Sequence, residues 1–174
     1  MEFKEISINP EPDENAFVLT LPEGKKVVEL NRSVSLKEAN EIWPESEKTL
    51  EHVPAEMELQ RVGILKEDLF DLVLRFRGKK ENDFMDIYYT ASPGEIKEPL
   101  NPSAQAGKLG NGFVELEKNV RNVFKRYIGE SNTARWSNEN GVVFIVSSRE
   151  THQLQEVLEN LAGEKIRFGS FPAE

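Results

Sequence analysis

The chain has 174 residues, no cysteine and two histidines, and its 31 acidic against 22 basic side chains leave a formal charge of −9. The missing thiols exclude disulfides, thiol catalysis and cysteine-ligated metal centres, and two histidines leave little for a hydrolytic triad or a histidine metal site. The negative field disfavours general attraction to nucleic acid or to anionic lipid. The charge is uneven: 19 acidic and 12 basic residues fall in 1–83, against 12 and 10 in 84–174, so the first part carries −7 and the second −2. A single domain over 1–174 is expected, with a core large enough to hold without staples. The N-terminus lacks the basic start and apolar core of a signal peptide. No stretch approaches the roughly 20 apolar residues of a membrane helix. The expectation is therefore a cytoplasmic protein with no membrane, metal or cofactor association.

In chain order, Phe3–Ile8 is a short candidate strand, followed by a polar, proline-broken loop over 9–15. Ala16–Leu21 and Lys25–Leu30 flank a Pro/Gly turn and read as a hairpin. Ser35 followed by Glu38 is a capping box, with Val34 in the staple position, and Pro44 ends the helix that it opens. The charged, proline-bounded segment 44–55 has room for another helical turn. Three strands are predicted next. The first is Glu56–Ile64; the second alternates apolar Phe70, Leu72, Leu74 and Phe76 with polar neighbours; the third is Phe84–Thr90. Together they predict an antiparallel meander.

Residues 92–112 hold prolines, glycines and small polar side chains, and read as a mobile loop or a linker. A division there would give a β-rich portion over 1–91 and an α/β portion over 113–174. Phe113, Leu116, Val120, Val123, Phe124 and Tyr127 then fall at helical spacing, which predicts a helix over 113–128 stopped by Gly129. Thr133–Ser137 and Gly141–Val146 form a hairpin, and the second, apolar throughout, suits a strand covered on both faces. Ser147 and Glu150 make a second capping box, opening a helix that ends before Gly163, and Lys165–Phe171 returns as a strand. From Phe84 onward the order is β-α-β-β-α-β, as in ferredoxin-like folds. The predicted class is α+β: an antiparallel sheet with that C-terminal order and an N-terminal β-rich extension.

Chemistry is harder to find. Gly107, Lys108, Gly110, Asn111 and Gly112 form a glycine-rich run before the predicted helix, where free N–H groups and the helix dipole suit a phosphate. Neither the P-loop nor the dinucleotide spacing is present, and a plain loop capped by Asn111 explains the run as well. Lys118, Arg121, Lys125 and Arg126 gather on one face of the same helix, with Arg135 and Trp136 close in sequence, a combination suited to nucleic acid. Basic residues late in a helix also answer its dipole. No catalytic residue stands out: His152 lies four positions before Glu156 as a surface pair would, and His52 sits in the charged segment.

The leading functional expectation is a non-enzymatic protein-binding module, an adaptor, inhibitor or immunity-type factor. It would use an acidic surface to meet a protein partner, a basic one by charge. A homodimer through a sheet edge is a further expectation. The alternatives are a nucleic-acid-binding protein using the basic face with Trp136, and a phosphate-bearing-ligand protein or enzyme using 107–112.

Overall fold

A computed structural model describes residues 32–65, 70–91, 104–121 and 130–169. In chain order these form β1 (Arg32–Ser33), α1 (Leu36–Ile42), α2 (Ser46–His52), β2 (Glu58–Ile64), β3 (Leu72–Arg77), β4 (Phe84–Thr90), β5 (Gln105–Leu109) and β6 (Gly112–Arg121). They continue with β7 (Glu130–Asn138), β8 (Gly141–Ser147), α3 (Thr151–Ala162) and β9 (Arg167–Phe168). The hairpin predicted over 16–30 and the strand at 3–8 lie outside the described residues.

All nine strands join one antiparallel sheet in the order β1-β2-β3-β4-β8-β7-β6-β5-β9. Two meanders meet at its centre. The first runs from the edge inward through β2 and β3 to β4. The second starts at the other side and returns through β6 and β7 to β8, which pairs with β4 from Met85↔Ser147 to Thr90↔Val142. The order differs from the ferredoxin-like arrangement, and the sheet is larger than that fold.

Period-two alternation gives the sheet two unlike faces. Leu72, Leu74 and Phe76 of β3, Met85, Ile87 and Tyr89 of β4, Val143 and Ile145 of β8, Ala134 of β7 and Val114 and Leu116 of β6 share the main core. Ala39 and Trp43 beside α1, and Leu154, Val157 and Leu158 of α3, cover that face. Trp43 stacks on Tyr89 at 5.1 Å between ring centroids. The opposite face carries a smaller apolar cluster, Leu65, Val73, Tyr88 and Val146 with Phe70, Phe84 and Phe144. Among the described residues, no helix packs on it.

Three local expectations change. The helix predicted from Phe113 is β6, paired with β5 on one side and β7 on the other. A bulge between Glu117 and Val120, with Asn119 at φ 55°, breaks the alternation there. The helical spacing arises because apolar side chains sit on both faces of β6: Phe113 and Val120 lie opposite Ser137 and Ser131 on one face, and Leu116 opposite Ala134 on the other, with the bulge adding one residue between them. Second, 92–112 is not a continuous loop, since Gln105–Leu109 is β5 and Gly112 opens β6. Third, Ser147 does not cap a helix: it ends β8, and α3 starts after Glu150 without a side-chain cap. The Ser147 hydroxyl instead donates to the Phe84 carbonyl at 2.6 Å. The capping box at Ser35 and Glu38 is present, and Gly163 at φ 70° closes α3.

Candidate functional site

The face on which no described helix packs carries the most unusual chemistry. Alternation puts Phe113 and Glu115 of β6, Arg135 and Ser137 of β7, and Val142 and Phe144 of β8 on it side by side. Arg135 lies directly between Glu115 and Phe144; Ser137 lies between Phe113 and Val142. Arg135 and Glu115 form an ion pair, with side chains only 8% and 6% exposed. Removing two charges from water costs several kcal/mol, and the cost is recovered only when remaining donors and acceptors are also met. At Arg135 they are not: its Nε and Nη1 have no hydrogen-bond partner, nor has the buried Ser137 hydroxyl.

Two strands away, Asp86 of β4 is fully buried and pairs with Arg77 at 2.6 Å and Arg75 at 3.4 Å. The Arg77 guanidinium also lies 5.6 Å from the Phe84 ring centroid. A carboxylate sealed between two guanidinium groups is a rigid electrostatic tie across β3 and β4.

A second feature is a cleft of about 520 Å³ where the β3–β4 turn meets the end of β8, lined by Glu56, Lys79–Asp83, Ser148 and Arg149. Its central cation is already used. Arg149 donates to Glu56 at 2.8 Å and to Asp83 at 2.7 Å. The third is the outside of the helical layer. The three helices carry six glutamates against two lysines. Glu159 is buried and faces inward, whereas Glu41, Glu47, Glu51 and Glu156 are exposed.

The residues singled out by sequence are distributed differently from the pattern that suggested them. Gly107–Gly112 is a β-hairpin rather than a loop feeding a helix. Gly110 takes φ 57° at its turn beside Asn111, as tight hairpins require. Gly107 and Gly112 are places of close approach: a Cβ on the first would lie 2.6 Å from Ile166, and on the second 2.4 Å from the Ser137 carbonyl. Lys108 is exposed, with its ammonium 5.4 Å from the Phe113 ring centroid. Lys118 and Arg121 are exposed on β6, and Arg121 pairs with Glu130 at 3.1 Å. Arg135 and Trp136, adjacent on a strand, point to opposite faces, and the Trp136 indole donates to the Leu109 carbonyl at 3.2 Å. Lys125 and Arg126 lie outside the described residues.

Sequence reading missed Glu115, Asp86 and Ser137. At Asp86 the available signal was a single charge inside an otherwise apolar strand, and at Glu115 the helical reading concealed it. No protein-family model matches the chain, and no curated protein and no solved structure matches it either.

Proposed function

We propose that the chain is a non-enzymatic protein-binding module, an adaptor, inhibitor or immunity-type factor, that meets a basic partner through the outside of its helical layer. One observation carries this reading: Glu41, Glu47, Glu51 and Glu156 are exposed there, and none has an ion-pair partner among the described residues. A net excess of charge of one sign draws in oppositely charged surfaces and accelerates encounter. The nucleic-acid alternative has less to build on, because Arg135 is buried and Trp136 faces away from it. Edge pairing into a homodimer is also weakly supported, as the outer strands β1 and β9 hold two residues each among those described.

The test is retention of proteins from an extract of the source cells on immobilised protein. Wild type is compared with the triple variant Glu47→Lys, Glu51→Lys, Glu156→Lys, with circular dichroism confirming that both are folded. Wild type is expected to hold a basic protein that elutes as salt rises, and the variant to lose it. Equal retention by the two, or retention indifferent to salt, defeats the reading.

A further inference from the structure

We propose that the pocket where the β5–β6 and β7–β8 turns meet the end of α3 binds one amino-sugar ring. Its volume is about 160 Å³, and Asn111, Trp136, Asn138, Glu139, Asn140 and Glu164 line it. A cavity of about 150 Å³ takes up benzene, so there is room for a single six-membered ring, and larger ligands need more. The turns are held in place from within. The Asn140 N–H donates to Asn138 Oδ1 at 2.8 Å, and the Tyr89 hydroxyl donates to the Asn140 carbonyl at 2.9 Å. On the other side, a Cβ on Gly110 would stand 3.7 Å from Glu164 Oε1, so this carboxylate reaches the β5–β6 turn from the end of α3.

The chemistry of the ligand follows from what these side chains still offer. With its Oδ1 engaged, Asn138 keeps its Nδ2 as a donor. The side-chain amides of Asn111 and Asn140 have no partner among the described residues, so each offers donors and an acceptor. Hydroxyls, which also donate and accept, match such groups. Glu139 and Glu164 have no ion-pair partner among the described residues. Ionised carboxylates only accept, so they favour a ligand that brings positive charge and N–H donors. The Trp136 N–H is spent on the Leu109 carbonyl, and what remains is ring surface, which attracts C–H bonds and cations. Several hydroxyls and one ammonium on a compact C–H ring describe an amino sugar. A metal ion would use the carboxylates and amide oxygens but leave the indole and the amide donors without a role.

The test uses the full chain at about pH 6, where the sugar amine is protonated. The probes are glucosamine and its methyl glycoside, the second standing for a sugar at the end of a chain, and binding of either supports the proposal. Calorimetry gives affinity, and the two indole N–H resonances in 15N–1H spectra give location, since Trp43 is buried against Tyr89 and Trp136 lines the pocket. Dissociation constants of about 1 mM are expected, with the Trp136 signal shifting more than that of Trp43. Glucose, which lacks the charge, and cyclohexylamine, which lacks the hydroxyls, should bind several-fold more weakly. The double variant Glu139→Gln, Glu164→Gln, shown to be folded by circular dichroism, should lose about tenfold in glucosamine affinity and with it the preference over glucose. Asn111→Ala should weaken both sugars several-fold. The proposal is overturned by no binding at about 20 mM, or by glucose or cyclohexylamine binding as tightly as glucosamine. It is also overturned by variants that leave the affinity unchanged, or by calcium ions shifting the Trp136 signal at lower concentration than the sugar does.

Discussion

Glu159 is 4% exposed, yet its carboxylate is held in the charged form. Burial alone would raise its pKa. Lys165 at 2.6 Å, the Ile166 N–H at 3.0 Å and the Gln155 amide at 2.8 Å outweigh that and leave it below the ordinary 4.5. A carboxyl depressed by folding contributes stability that is fully present above 4.5 and is lost as the pH falls through its lower folded value. Wild type should therefore lose denaturant stability between about pH 5 and pH 3 more steeply than Glu159→Gln. Parallel acid limbs in urea titrations of the two would refute this. Arg149 joins three elements in the same way, through Glu56, Asp83 and the Asn132 amide that donates to its carbonyl at 2.8 Å. Arg149→Met should cost about 2–3 kcal/mol, the usual range for charged hydrogen bonds with partners left behind. A loss below about 0.5 kcal/mol would mean that the network is replaced by water at no cost. Nothing in the sequence joined Arg149 to Glu56, 93 positions earlier; such pairings exist only once the chain is folded.

At the scale of elements, two identical local signals had different fates. Ser35 caps α1, with its backbone N–H bonded to Glu38 at 2.9 Å, because no strand competes for its hydroxyl. Ser147 has the same spacing to Glu150, but β4 lies alongside and the Phe84 carbonyl takes the hydroxyl. Local motifs were thus legible where tertiary structure left them alone. The strands β2, β3, β4, β7 and β8 were legible for a related reason: uninterrupted alternation or a solid apolar run survives without knowledge of neighbours. β6 was not, because its apolar Phe113 and Val120 lie on one face and Leu116 on the other, and a bulge at Asn119 shifts the alternation between them. The positive φ there suits asparagine and penalises branched side chains. Asn119→Val should destabilise by about 1–2 kcal/mol, whereas Asn119→Gly should be neutral or slightly stabilising. Thermal or chemical melts giving both variants the same loss would remove the bulge from the explanation. The buried pair Glu115–Arg135 was illegible for the same reason, since its two strands were not both recognised as strands.

Across the whole molecule, β4 and β8 carry the connection between the meanders. Their burial is almost complete: all of Met85–Thr90 is buried, and in β8 only Phe144 is not. Hydrogen exchange should therefore be slowest at amides of these two strands and fastest at β1 and β9, which hold two residues each among those described. Equal protection at centre and edge would contradict the reading of β4–β8 as the join. The α+β class and the meander of β2, β3 and β4 were readable from the sequence. The pairing of β4 with β8 was not, because hydrophobic pattern states which residues are covered but not which strand is beside them.

The position of β1 and β9 at opposite margins has a mechanical consequence. Measured along the sheet, Arg32 and Phe168 stand eight strand spacings apart, about 38 Å. Tension applied between those two points acts across the strands instead of along them, so ladders part rung by rung and never shear as a set. Starting from β9, which has two rungs among the described residues, Gly107↔Phe168 and Lys108↔Arg167, such a sheet peels open under small forces, while the same sheet pulled lengthwise at β4 and β8 would resist.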